Sequence, residues 1–279
     1  MNFVDSILQL LTENNVCIHR DSVILDFGCG RGDLVREFID LEYSNIYGCD
    51  IALNTVDKEE IDETCAKSKY VIFENDFFSE AKANKLIRQI ELSPYRLPFQ
   101  DGQFDLIISN QVFEHVLDYT AVLNEIKRVL KPGGFCLNFF PSKYRFIEPH
   151  VLVPFAGTIK CRLWLYIWFL LLKRKREEEF VTKKNEGNSV FQITKQITER
   201  NLLFLNYEVK YFSKNRLRKY FNEFFFYNEF IERYYVRLKL ERRKRTLYGA
   251  LARLPFITNT LGKLYSTFHE RIVLLQKDK

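Results

Sequence analysis

The chain has 279 residues, 47% of them hydrophobic and 15% aromatic, which excludes a disordered polypeptide and allows one generous domain or one with large insertions. Its net charge of +6 conceals two opposed halves: residues 1–150 carry 15 Lys and Arg against 24 Asp and Glu, residues 151–279 carry 27 against 12. An acidic first half and a basic, aromatic second half point to two surfaces with different work.

Residues 3–16 place Phe3, Ile7, Leu10 and Leu11 at helical spacing, predicting an amphipathic opening helix. The opening residues Met1–Asp5 lack a basic segment followed by an apolar run, so secretion is not expected. Ser22–Phe27 is a short branched, apolar run, hence a buried strand, broken by Gly28–Gly32 and followed by a helical pattern over Asp33–Leu41. A second strand over Asn45–Gly48 ends at Cys49-Asp50. The third falls either near 70–74, with a helix inserted after it, or near 87–92. Phe104–Ser109 is a further strand, Ala121–Leu130 a helix, Lys131–Gly134 a turn and Phe135–Phe140 a strand. Strands alternating with helices predict a parallel α/β sheet.

The rhythm changes after Pro141. Residues 142–205 lose the alternation and contain Leu163–Leu172, ten uninterrupted apolar residues flanked by Lys160, Arg162 and Lys173–Arg176. As a helix this segment is about 15 Å long, roughly half the hydrocarbon core of a bilayer, so it cannot cross. Ser213–Phe221 reads as a helix with Ser213 as N-cap, Phe224–Leu238 can supply a strand, 241–268 is basic and amphipathic, and Glu270–Gln276 is a final strand. The six cysteines (17, 29, 49, 65, 136 and 161) form no CxxC pair and read as small buried hydrophobes in a reducing compartment.

The informative stretch is Val23-Ile-Leu-Asp26-Phe-Gly28-Cys29-Gly30-Arg-Gly32-Asp33. Its glycines let the backbone turn off a strand end and approach a ligand closely. A dinucleotide site would want a third glycine at position 33, beside the pyrophosphate. Asp33 stands there instead, and a carboxylate at a helix N-terminus repels a diphosphate. Asp26 and Asp33 suit a ligand with a cationic end, such as the amino group and sulfonium of S-adenosylmethionine (SAM). Asp50, at the end of the second strand, is placed to accept ribose hydroxyls; as a helix cap or turn residue it would serve structure alone.

In the order VILDFGCGRGDL, YGCD, LPFQDGQFDLIISNQVFEHV and EIKRVLKPGGF, residues 20–142 resemble the type 11 family of class I SAM-dependent methyltransferases. The resemblance implies a Rossmann-like α/β sheet of order 3-2-1-4-5-7-6, strand 7 antiparallel, with helical insertions after strands 5 and 6. It places Asp26, Gly28, Cys29, Gly30 and Asp33 around the methionine part of SAM, Asp50 and Ile51 at the ribose and adenine, and Asn110 and Gln111 on the methionine side. Where similar proteins often carry an acid for the adenine amine, this chain has Ser93; Asp76 is an alternative.

Methyl transfer is an in-line displacement that depends on alignment, helped by a base when the acceptor is a hydroxyl. His115, behind Glu114, follows the fourth strand; a Glu-His pair there resembles that of ubiquinone-type O-methyltransferases, where it lies near the acceptor. Capping the following helix is the structural alternative. His150, near Glu148 on a proline-bounded stretch, is the other base candidate; His19 and His269 read as structural. No metal site is expected.

Three readings compete for 142–268: a lid over the acceptor, a helix resting in a membrane interface through 160–176, or an RNA-binding surface. The spread of the basic residues among hydrophobics disfavours nucleic acid. The stretch FPSKYRFIEPHVLVPFAG resembles bacterial methyltransferases associated with surface polysaccharide or lipid-linked glycan assembly. The expected organisation is 1–141 as the SAM-binding core, 142–212 as an inserted lid, substrate or membrane-contact segment, and 213–279 as the end of the sheet, with a basic helical insertion at about 239–268. The resulting expectation is a cytoplasmic enzyme, free or peripheral at the inner membrane face, that methylates a small-molecule or glycan hydroxyl. The rivals are a catalytically silent binding protein of the same fold and an NAD-binding oxidoreductase.

Overall fold

The computed structural model describes residues 3–51, 55–56, 72–73, 76–92, 94–116, 118–147, 154–155, 158–159, 161–171, 179–183, 193–197, 214–225, 227–231, 234–235, 237–238 and 254–279. Seven strands build the main sheet: β1 (Ile24–Phe27), β2 (Ile46–Asp50), β3 (Ile87–Gln89), β4 (Phe104–Asn110), β5 (Leu130–Pro141), β6 (Tyr227–Phe230) and β7 (Glu270–Gln276). Their order is β3-β2-β1-β4-β5-β7-β6. β1 to β5 run parallel, whereas β7 is antiparallel to both β5 and β6, so the order and the single reversed strand match the sequence expectation. The last two strands come from the basic half and complete the sheet begun by the acidic half.

The described helices are α1 (Phe3–Glu13), α2 (Asp33–Asp40), α3 (Asp76–Ala83), α4 (Tyr119–Val129), α5 (Arg162–Leu171), α6 (Lys214–Phe224) and α7 (Pro255–Phe268). The sheet is buried on both faces, as parallel strands between helices must be. Along β4, Leu106 and Ile108 face one core with Leu10, Phe38, Leu137 and Ile272. Ile107 faces the opposite core with Phe27, Phe113, Leu123, Phe221 and Val273. Period-two alternation therefore sorts one strand's side chains into two cores.

The third strand is the later of the two alternatives: Gly48–Asp50 pairs with Ile87–Gln89. Ile72–Phe73 pairs instead with Thr55–Val56 in a separate two-stranded ladder. β5 begins earlier than expected, since Leu130 already pairs with Phe104, and a register shift absorbs the Lys131–Gly134 turn where Gly133 has φ 75°. Cys29, Cys49 and Cys136 are buried as expected, but Cys17 and Cys161 are exposed, because both lie outside the sheet. The proposed cap Ser213 and the 239–253 segment lie outside the described residues.

One clamp explains two of the sequence motifs together. Arg128 of α4 donates to the carbonyl oxygens of Leu97 and Phe99 and to Asp101, so it grips the LPFQD turn. Glu125, paired with Arg128 at 2.7 Å, accepts a hydrogen bond from the Leu97 backbone N–H. Charge-assisted bonds of this kind fix the entry of β4 and hence the place where it ends.

Candidate functional site

Open α/β sheets bind ligands beyond the carboxyl ends of their strands. There β1 runs into the glycine turn, and all three glycines take positive φ: 78° at Gly28, 50° at Gly30 and 78° at Gly32. The reason differs along the turn. A Cβ on Gly28 would stand 2.2 Å from Val112 Cγ2, and one on Gly32 would stand 2.7 Å from Ile87 Cδ1. A Cβ on Gly30 would meet nothing within 4 Å. Packing thus requires Gly28 beside Val112, just beyond β4, and Gly32 beside β3, while Gly30 faces open space and leaves room for a ligand.

Asp50 closes this cradle. Its Oδ2 accepts a hydrogen bond from the Gly30 backbone N–H at 2.9 Å, and the Gly28 and Cys29 N–H groups both donate to the Cys49 carbonyl. The end of β2 therefore holds the loop after β1. Asp26, at the heart of β1, is 3% exposed, and its carboxyl pKa is pushed up to about 8 by burial, with Asp50 and then Asp33 adding repulsion. Burial first, then the Asp26 and Asp50 charges, raise the Cys29 thiol well above its usual range. A cationic ligand group would relieve this concentration of buried acid. The residues fit a group that is cationic at one end and carries hydroxyls for Asp50.

Asp33 stands apart from the other two acids. It opens α2 with its side chain 72% exposed and 3.1 Å from Arg31, so it contributes to the loop's outer rim. Ile51 is half-buried beside Asp50, packed against the same core as Phe27 and Cys49. Ser93, Glu148 and His150 lie outside the described residues, as do the side chain of Asp76 and the Lys173–Arg176 run.

On the other side of the cradle β4 ends at Asn110, which is exposed, and Gln111 comes next in the left-handed region at φ 59°. Its backbone N–H donates to the Phe139 carbonyl, and its side-chain amide donates to Glu270 Oε1 at 2.7 Å. Glu270 Oε2 in turn accepts from the Tyr265 hydroxyl at 2.8 Å, and the Tyr265 ring stacks on His269 at 4.7 Å. Burial, and next the Glu270 charge, hold the Tyr265 phenol well above its ordinary range, so it stays a hydrogen-bond donor. Sequence reading missed Val112, Tyr265 and Glu270, whose roles arise from contacts between segments distant in the chain.

Glu114 and His115 lie in a 3-10 turn, Phe113–His115, with Glu114 3% exposed and His115 half-buried. The next helix, α4, is capped by Asp118, whose Oδ1 accepts from the Ala121 N–H, so capping is not the task of Glu114. Among the described residues no group of three His, Cys, Asp or Glu is gathered for a metal ion.

Residues 25–138 match the family model described as a methyltransferase domain. An uncharacterized methyltransferase of Schizosaccharomyces pombe is 34% identical over 40% of this chain and 37% of its own length. The demethylmenaquinone methyltransferase of Lactococcus lactis is 33% identical over 51% of this chain and 56% of its own. The sarcosine/dimethylglycine N-methyltransferase of Halorhodospira halochloris is 31% identical over 41% of this chain and 36% of its own. The chain thus spans less than two thirds of each of these relatives.

Proposed function

We propose that this chain, whose residues 25–138 match a methyltransferase-domain model, is a class I methyltransferase that uses S-adenosyl-L-methionine to methylate a hydroxyl acceptor. The observation that carries the reading is the Gly30 to Asp50 hydrogen bond beside the buried Asp26. It makes an acidic cradle with open space over Gly30, suited to a sulfonium and amino group rather than a diphosphate.

Bound there, the cofactor supplies an electrophilic methyl carbon. Asp50 would receive the ribose hydroxyls and Asp26 the cationic methionine end, which would align the cofactor for transfer. Ile51 packs near the adenine, with Ser93 or Asp76 as its polar partner, and Asn110 and Gln111 border the methionine side. Held this way, the cofactor would supply its methyl group to an acceptor oxygen and leave as the neutral thioether, the hydroxyl proton going to a base. His150 and His115, the latter behind Glu114, are the two candidates for that base.

The acceptor class is a sugar or glycan hydroxyl, free or lipid-linked, or a small metabolite, with membrane contact through 160–176. The relatives named above include a protein that acts on nitrogen, and an N-directed reaction would need no base. Incubation with methyl-labelled SAM and a panel of nucleotide sugars, lipid-linked glycans and small amines tests the assignment. Label in an O-methyl ether, lost in His150→Ala or His115→Ala with SAM affinity kept, supports it. Label only in amines overturns the oxygen assignment.

A further inference from the structure

α7 is oriented against expectation. It turns its small, polar residues Thr258, Gly262 and Ser266 into the protein and leaves Phe256, Leu264 and Phe268 exposed, Phe256 at 81%. Positions 256, 264 and 268 are separated by multiples of four residues, so they share one outward face. α5 does the same. Leu163, Ile167 and Leu171 form an exposed stripe at i, i+4 and i+8, with Leu163 and Leu171 at 64% and 66%. Its neighbouring Trp164 donates its indole N–H to the Pro154 carbonyl at 2.8 Å.

The two stripes are joined by direct contacts. The Phe146 N–H donates to the Phe268 carbonyl, the Phe146 and Phe155 rings meet at 5.1 Å, and Ile147 bridges to Pro154. Phe146 and Ile147 are themselves exposed. This ridge adjoins the carboxyl edge of the sheet: Ser142 is tied to His269 and Thr267, and Glu270, paired with Pro141, carries the hydrogen bond from Gln111. Single exposed apolar residues are ordinary, but three linked elements exposing eight of them are not.

We infer that this ridge docks on an anionic lipid surface, so that an acceptor borne by a lipid reaches the site from the membrane. Charge selects this occupant. Lys143 packs over the Tyr144 ring in the ridge and Lys263 is exposed on α7. In sequence, Lys160 and Arg162 precede the α5 stripe and Lys173-Arg174-Lys175-Arg176 comes after it. Apolar stripes bordered by Lys and Arg suit the boundary between acyl chains and acidic headgroups. No described helix is long and apolar enough to cross, so the contact is interfacial. The delivery of an acceptor rests on the methyl-transfer reading; the docking itself does not.

Cosedimentation of the full chain with vesicles tests it, using phosphatidylcholine alone and phosphatidylcholine mixed with phosphatidylglycerol. The expected result is binding to the mixed vesicles, weakened by salt, and a loss of about tenfold or more when Phe146, Phe256 and Phe268 are all replaced by Ser. Unaltered circular dichroism and SAM affinity in the triple variant, and equal weakening in Leu163→Ser/Leu171→Ser, separate docking from misfolding. Absence of binding to the mixed vesicles overturns the inference. So does a concentration-dependent dimer that the same substitutions dissolve, which would make the occupant a second copy. Failure of SAM binding with vesicle binding intact would remove the methyl-transfer reading alone.

Discussion

The Gly30 backbone N–H donates to Asp50 Oδ2 at 2.9 Å, so one carboxylate both shapes the glycine turn and faces the cradle that the turn encloses. Replacing Asp50 by Ala removes the loop anchor together with the proposed ribose acceptor. Loss of a hydrogen bond to a charged group costs about 1.5–3 kcal/mol, so SAM affinity should fall roughly 10- to 100-fold. Calorimetric titration of the variant measures this; unchanged affinity would contradict the assigned pose.

Gly28 and Gly30 should fail differently. Gly28→Ala incurs about 1–2 kcal/mol for a side chain in the left-handed region and about 1–3 kcal/mol for crowding Val112. Gly30→Ala incurs only the first of these but pushes a methyl group into ligand space. Urea denaturation should therefore show the larger stability loss in Gly28→Ala, partly recovered in Gly28→Ala/Val112→Ala. Gly30→Ala should keep most stability and lose SAM affinity.

Asp26 makes stability and binding respond to pH in opposite directions. Its folded pKa of about 8 lies above the ordinary 3.8, so the folded protein holds a proton that the unfolded chain releases. The contribution is fully present below about pH 4 and is lost as pH rises to about 8. A cationic ligand favours the ionised carboxylate, so SAM affinity should rise over the same interval and binding should release a proton. Titrations in two buffers of different ionisation enthalpy detect that proton. Asp26→Asn should flatten the stability profile and abolish the proton release.

Glu270, the first residue of β7, ties that strand to the residue after β4 by accepting from both Gln111 and Tyr265. Glu270→Ala should destabilise the protein by about 1–3 kcal/mol, and Tyr265→Phe by about 0.5–1.5 kcal/mol. Chemical denaturation gives both values. Equal, negligible losses would mean that this corner does not hold β7 in place.

The sheet was readable because its strands are short apolar runs separated by strong punctuation, and because glycine, acid and proline positions mark each turn. Ile87–Gln89 was harder: three residues, one of them Arg88, carry no alternation to recognise, and only pairing with β2 identifies them. The acidic half of the site was legible since Asp26, Gly30 and Asp50 sit within 25 residues of one another. The opposite wall of the cradle was not. Val112 meets Gly28 from just beyond the neighbouring strand, 84 positions away, and Glu270 meets Gln111 across 159 positions, and no local pattern announces either contact. α7 misled in a different way, because its periodicity reports an apolar face without saying that the small residues opposite are the ones buried.

Whether the acidic cradle takes an adenosyl sulfonium is decided by parallel calorimetric titration of the full chain with SAM, S-adenosylhomocysteine and NAD. Both adenosyl ligands should bind at micromolar concentration and NAD should not bind. Binding of NAD, or of neither adenosyl ligand, would contradict that assignment.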